Sequence, residues 1–294
     1  MAGDAARTTR PTRIVVTGGS GKLGRAVVRD LDAHGYHVVN IDRSAPPADA
    51  PGAWVRIDLT DYGQVVEALS GIDDRYDRID AVVHLAAIPA PGLIANAQTF
   101  AGNVTSTYNV FAAAQAAGIT RLVWASSETL LGLPFDDTPP PYFPVDEQYP
   151  VRPSSRYSLG KAVDEEVARH FARWNPDNAY LGLRFSNVMD EADYAAFPAF
   201  DEDPRQRSWN AWGYIDSRDG AQAVRLALQS DVVGAENFII AASDTVMSTP
   251  SEQLARGVFP GVPFTSPVTG VQTLLSIEKA RSVLGFEPRY SWRE

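Results

Sequence analysis

The 294-residue sequence contains no cysteine. Disulfides, thiol nucleophiles and cysteine-based zinc or iron–sulfur sites are therefore excluded. Lysine is scarce, occurring only as Lys22, Lys161 and Lys279. The four histidines, His34, His37, His84 and His170, form no ligand cluster by spacing. His34 and His37 straddle Gly35, where a helix gives way to a strand. Basic residues number 26 against 36 acidic ones, a net charge of −10. Such a chain is a poor candidate for wrapping nucleic acid or an anionic membrane. No apolar run approaches the ~20 residues of a membrane-spanning helix. Residues 1–10 lack the apolar stretch of a secretory signal and read as a flexible arm. The expectation is a soluble cytoplasmic protein with no nucleic-acid or membrane partner.

What remains is an ordinary globular balance, 45% hydrophobic and 21% charged, which excludes disordered, collagen-like and coiled-coil chains. The first half alternates strand-like and helix-like runs. Strands are predicted at Arg13–Thr17, His37–Ile41, Trp54–Ile57, Asp80–Leu85, Arg121–Ser126 and Ala179–Phe185. Helices are predicted over Lys22–His34, from Asp61 to about Ser70, over Gln98–Ala117 and over Ser154–Trp174. This alternation argues for an α/β fold, a doubly wound parallel sheet of Rossmann type with strand order 3-2-1-4-5-6 plus extensions. The division expected is a Rossmann domain over 11–185 and a small substrate lobe over 186–294. Residues 215–242 of that lobe, a helix at Ser217–Gln229 and a strand at Glu236–Ala241, return to pack on the sheet. Proline-rich Leu133–Pro153 reads as a loop over the site and Ser186–Gly213 as irregular. A last helix is predicted at Ser276–Leu284.

The first strand runs into Thr17-Gly18-Gly19-Ser20-Gly21-Lys22-Leu23-Gly24 and then into the first helix. Gly18, Gly21 and Gly24 let backbone N–H groups approach a pyrophosphate, and the helix N-terminus favours its charge. Strand before and helix after supply the context that a dinucleotide site requires. Asp42, at the end of the second strand, lies 18 residues beyond Gly24. A carboxylate there accepts from a ribose diol and repels a 2′-phosphate, so NAD is expected over NADP. Adjacent Arg43 could soften that preference.

Tyr157 and Lys161 stand at i and i+4 in the first turns of the long helix, on one face. With 11 tyrosines and three lysines, chance placement yields on the order of 0.1 such pairs. A free tyrosine is too weakly acidic to act as a base at neutral pH, and a nearby ammonium favours its phenolate. Such a tyrosine can exchange a proton with a substrate hydroxyl while hydride moves to or from nicotinamide. Ser126 and Ser127 end the preceding strand at its C-terminal edge, where open parallel sheets bind ligands. Ser127 can polarise the reacting oxygen.

Taken together, these residues resemble the extended short-chain dehydrogenase/reductases, the NAD-dependent epimerase/dehydratase family. The resemblance runs to about Ala241, with a weaker echo over Ser276–Pro288. It implies that Asp58-Leu59 lie near the adenine and that Leu85, Ala86 and Ala87, after His84, line the cofactor. It implies the same for Asn103, Ser126, Phe185 and Ser186. It assigns Tyr157 as general base, Lys161 as its electrostatic partner and as a holder of the nicotinamide ribose, and Ser127 as the orienting hydroxyl. The family's sugar-nucleotide dehydratases carry an Asp-Glu pair where this chain has Glu128 and Thr129, which argues against dehydration.

By the same resemblance, the short interval from Val188 to about Ser217 is closest to the uronate dehydrogenase branch, which oxidises free sugar acids. Expected substrate contacts are Ile88, Pro89, Ser127, Glu128, Asn187, Arg207, Trp209, Trp212 and Tyr214. Arg207 could clamp a carboxylate. The aromatics could stack on a sugar face, or pack the core of the small lobe. The implied activity is hydride transfer between NAD and a secondary alcohol or lactol of a small free sugar or sugar acid. The alternatives are a nucleotide-sugar epimerase with tightly held NAD and a non-catalytic NAD sensor. A homodimer through the helices Gln98–Ala117 and Ser154–Trp174 is also implied.

Overall fold

The computed structural model describes residues 12–71, 78–135 and 138–294. The expected arm, residues 1–10, lies outside the described residues. β-Branched and aliphatic runs form the strands β1 (Arg13–Thr17), β2 (His37–Ile41), β3 (Ala53–Val55), β4 (Ala81–His84), β5 (Arg121–Ser127) and β6 (Ala179–Phe185). Two short strands follow, β7 (Val188–Met189) and β8 (Ile215–Asp216), and then β9 (Gly234–Ile240). The principal sheet is parallel and runs β3-β2-β1-β4-β5-β6-β9. The predicted order is therefore present, extended by β9 as a seventh strand. β7 and β8 pair with each other apart from it.

Side chains of a strand alternate between faces, and the buried residues divide accordingly. Val15, Val82, Leu122, Trp124 and Tyr180 belong to one core, shared with α2 (Tyr62–Leu69), α3 (Asn96–Ala116) and α4 (Arg156–Trp174). Ile14, Val16, Val83, Val123 and Leu181 belong to the other, shared with α1 (Lys22–Ala33) and α5 (Ser217–Gln229). Because both faces are covered, the central strands read as continuous apolar runs rather than alternating ones. At the centre of the first core, fully buried Phe111 meets Trp124, Phe171 and Tyr180 at ring-centroid distances of 6.1, 5.8 and 5.6 Å.

Three differences from expectation are physical. β3 is Ala53–Val55 rather than Trp54–Ile57, because Ile57 turns into the core beyond the last ladder pair with β2. The tail contains a further helix, α6 (Ser251–Val258), ahead of α7 (Glu278–Leu284). Among the described residues, Leu133–Pro153 has no regular element, as expected, but it is a strap rather than a free loop. The Phe143 N–H donates to Pro263, the Val145 N–H to Leu274 and the Ser276 N–H back to Val145. Phe143 and Val145 are fully buried, so the strap is tied to the tail while its start reaches the site. Ser186–Gly213 holds two 3₁₀ segments, Glu191–Glu202 and Pro204–Asn210. No helix among the described residues is long and apolar enough to cross a membrane.

Phe111→Ala is expected to lower stability by about 3–5 kcal/mol, since the rings around it cannot collapse into the space. Chemical denaturation checks this; a loss under ~1 kcal/mol would show that this aromatic cluster does not anchor α3.

Candidate active site

A cavity of about 1250 Å³ opens along the C-terminal ends of β1, β2, β4, β5 and β6. Its walls hold Gly18, Gly21, Lys22, Leu23, Gly24, Asp42 and Arg43 at one end and Ser127, Glu128, Tyr157 and Lys161 toward the other. The volume exceeds the ~300–1,000 Å³ of a usual single-ligand pocket, enough for a dinucleotide and a small second molecule.

The glycines are dictated by space. Gly18 has φ +72°, and a Cβ there would lie 2.7 Å from the Ala86 backbone. A Cβ on Gly24 would lie 2.0 Å from the Gly18 carbonyl oxygen, so only glycine lets α1 start this close to the turn. Gly21 caps α1 without a side-chain hydrogen bond and the first turn carries no acid. The N-terminal amides of α1 thus face the cavity without a side-chain acceptor, a site suited to phosphate. The Asp42 carboxylate accepts from the Ser20 N–H at 3.1 Å and the Ser44 N–H at 2.9 Å, which fixes it at the end of β2. A carboxylate has about four acceptor sites, so Asp42 keeps capacity for a ribose diol. These features fit a bound dinucleotide.

Asp58, Leu59, Leu85, Ala86, Ala87, Asn103, Ser126, Phe185 and Ser186 also line the cavity. Several are already engaged. Thr60 donates to Asp58 through backbone and hydroxyl, and these bonds hold the carboxyl below its ordinary value. Asn103 clamps both backbone groups of Ile88, at 2.8 and 3.0 Å, and so shapes the loop after β4. Lys22 lines the cavity but forms an ion pair with Asp193 and lies 3.8 Å from Asp190, joining α1 to the segment after β7. His84 faces away, bonded through its ring to Thr17 at 2.8 Å and Thr107 at 3.3 Å. Burial, aided by the Lys161 charge, pushes the imidazole down to about 3, so it stays neutral.

Tyr157 sits in the first turn of α4, where a reciprocal cap holds the backbone. Ser155 Oγ accepts the Ser158 N–H, and Ser158 Oγ accepts the Ser155 N–H. One turn on, Lys161 is buried and donates to the Ala125 carbonyl at 2.6 Å, with Asp164 at 3.7 Å. Burial pushes the Asp164 carboxyl up to about 6 despite that ammonium. Ser127 Oγ accepts from both the backbone N–H (3.2 Å) and the hydroxyl (2.9 Å) of Thr129. Its own proton is thereby left to donate to a ligand oxygen. Beneath these, Glu165 takes a bidentate pair from Arg184 at 2.9 and 2.8 Å and a bond from Ser126 at 2.7 Å, locking α4 to β5 and β6.

The expected substrate contacts divide. Ile88, Pro89, Ser127, Glu128, Asn187 and Trp209 line the cavity, whereas Arg207, Trp212 and Tyr214 do not. Trp212 is fully buried with its ring N–H on the Pro204 carbonyl, and Tyr214 is fully buried with its hydroxyl on Asp244. Both pack in the hydrophobic core that also covers one face of the principal sheet, so they fill core rather than face a ligand. Arg207 is turned inward, donating to the Gly213 carbonyl at 2.9 Å, and is no carboxylate clamp in this arrangement. Sequence reasoning missed Thr129 and Asn210, which hold Ser127 and Glu128. A hydroxyl two residues after a strand-end serine was a readable signal for the first. Nothing local signalled Asn210, which lies 82 residues from its partner.

Glu128 accepts from Ser186 Oγ at 2.6 Å and from Asn210 Nδ2 at 3.0 Å. Burial nonetheless pushes its carboxyl from 4.5 up to about 7. The folded chain therefore holds a proton there between those values that the unfolded chain has released. Glu128 thus favours folding below pH 4.5 relative to above 7, and stability is lost as pH rises through that window. Glu128→Gln removes the dependence. Denaturation across the window should show the variant gaining on the wild type with rising pH, by on the order of 3 kcal/mol in all. A constant difference between the two would place the carboxyl in water.

The sequence pattern of the NAD dependent epimerase/dehydratase family matches residues 14–201. Among characterised proteins, the chain is 29% identical over 260 residues to L-arabinose 1-dehydrogenase (NAD(P)(+)) of Haloferax volcanii, covering 84% of this chain and 96% of that one. It is 28% identical over 192 residues to UDP-glucose 4-epimerase 2 of Oryza sativa, covering 60% of this chain but only 44% of the rice protein. It is 27% identical over 168 residues to uronate dehydrogenase of Pseudomonas putida, covering 56% and 57%. A short-chain dehydrogenase/reductase superfamily protein from Agrobacterium tumefaciens, solved with bound NAD, superposes with a TM-score of 0.72 at 26% identity over 96% of this chain and 94% of that one. With the pattern matched through both the glycine turn and the Tyr157–Lys161 helix, the chain belongs to the NAD dependent epimerase/dehydratase family.

Proposed function

We propose that the protein is an NAD-dependent oxidoreductase that removes hydride from a secondary alcohol or lactol of a small free sugar or sugar acid. The observation that carries this reading is that Ser127, Tyr157 and Lys161 line the same cavity that the glycine turn and Asp42 enter. The first turn of α1 would hold the pyrophosphate, Asp42 a ribose and Lys161 the nicotinamide ribose. Bound NAD supplies the hydride acceptor.

The chain's own residues handle the proton. Tyr157 accepts the proton of the reacting hydroxyl as the carbonyl forms. The Lys161 ammonium stabilises negative charge on the tyrosine oxygen, and its bond to Ala125 fixes where that charge stands. Ser127, with both acceptor positions filled by Thr129, donates to the reacting oxygen and orients it.

Similarity along nearly the full length of an arabinose dehydrogenase, against less than half of the rice epimerase, favours net oxidation of a free sugar. A nucleotide-sugar epimerase is the second reading, and the epimerase relatives support it. This reading implies a cytoplasmic homodimer through α3 and α4, on whose outer surfaces Tyr108, Leu159 and Trp174 are exposed.

Mixing the protein with NAD and a panel of free aldoses, uronic acids and UDP-sugars should yield sustained NADH from a free sugar or acid. Interconversion of UDP-sugars without NADH would replace the reading with the epimerase. Tyr157→Phe should lower kcat by about 10²–10⁴-fold, with the affinity for NAD changed less than about 3-fold. Full turnover in that variant would remove Tyr157 from the chemistry.

A further inference from the structure

The substrate end of the cavity is short of positive charge. Among the described residues, the cationic side chains on its wall are Lys22, Arg43 and Lys161. Lys22 stands at the glycine turn and is engaged by Asp190 and Asp193. Arg43 follows Asp42 at the ribose end. Lys161 belongs to the proton-transfer group, held by Ala125 and Asp164. Arg207 is directed inward, with its guanidinium 5.2 Å from the Phe200 ring centre and 5.5 Å from that of Trp209. None of these is placed to meet a second anionic group on a substrate.

What the wall presents instead is an acid. Glu128 lines the same cavity as Ser127. Its carboxyl is pinned by the Ser186 hydroxyl on one oxygen and the Asn210 amide on the other, with the Asn187 backbone N–H as a third donor. Those bonds leave acceptor capacity on a group with about four lone-pair sites. Arg207, which does not line the cavity, offsets part of its charge. Trp209, on the same wall, offers an aromatic face of the kind that packs against the C–H face of a sugar ring.

We propose that Glu128 is a specificity-determining residue that selects an uncharged, polyhydroxylated sugar over a sugar acid or a sugar nucleotide. It accepts a hydrogen bond from a substrate hydroxyl and repels a substrate carboxylate or diphosphate. This rests on the dehydrogenase reading above and narrows its substrate class to neutral aldoses. Like-charge juxtaposition in a desolvated site is strongly unfavourable, and rejection built from repulsion is as effective as added attraction.

The test is calorimetric titration of the NADH-saturated protein above pH 7, where the Glu128 carboxyl is ionised. The ligands are glucose, galactose and mannose, their matched uronates, UDP-glucose and UDP-galactose. At least one neutral sugar should bind on the order of 100-fold more tightly than its matched uronate. Glu128→Gln should shrink that ratio to below about 10-fold, mainly by restoring uronate binding. A wild type that prefers the uronate or the UDP-sugar overturns the proposal, as does a ratio that Glu128→Gln leaves unmoved. The wild-type ratio decides by itself if the variant does not fold. A neutral sugar that binds selectively but is not oxidised with NAD upholds the selection and removes the dehydrogenase reading. A uronate that binds better and is oxidised does the reverse. Failure of every free sugar to bind overturns the proposal outright.

Discussion

The site depends on how α4 is seated, and the buried Glu165–Arg184 pair seats it. Both partners are almost wholly buried, and the pairing is bidentate. Ser126 adds a third bond from β5. Desolvation offsets much of the Coulombic gain of such a pair, so its net contribution to stability is small. Its geometry is what matters. A helix held only by apolar contacts can slide or rotate by fractions of a turn, whereas a planar fork accepts one orientation. Tyr157 and Lys161 are set two turns and one turn earlier on the same helix. The proposed proton transfer through Tyr157 needs that precision, since a misplacement of about 1 Å can cost on the order of 100-fold in rate.

The second constraint is the control of buried charge around that helix. Lys161 enters the protein against the Ala125 carbonyl, Asp164 and the Trp124 ring. His84, one strand away, is held neutral between two threonine hydroxyls and adds no competing positive charge. Glu128 lines the cavity, and the Arg207 charge opposes its own. The charged groups around α4 are thus fixed by packing and hydrogen bonds rather than left to solvent.

The sheet, its order through six strands, the glycine turn and the helix that carries Tyr157 and Lys161 were legible because each rests on local pattern. The glycine turn is legible from sterics at Gly18 and Gly24, and the tyrosine–lysine pair from helix periodicity. β9 was expected to return to the sheet on alternation alone. The small lobe was far less legible. Trp209, Trp212 and Tyr214 are alike in sequence, yet one faces the cavity and two fill the core, because contacts with Pro204 and Asp244 decide it. Arg207 read as a clamp for a substrate carboxylate for want of any sign that Gly213, Phe200 and Trp209 would enclose it. The strap read as a loop, since its partners lie some 120 residues further on in the tail. Long-range packing of aperiodic segments is what single-sequence patterns do not carry.

The most direct test of the central claim is the fate of deuterium from a fully carbon-deuterated neutral aldose incubated with the protein and NAD. Mass spectrometry should find one deuterium in each NADH formed, in equal amount to oxidised sugar. NADH without deuterium, or unchanged sugar beside epimerised UDP-hexose, would contradict the account.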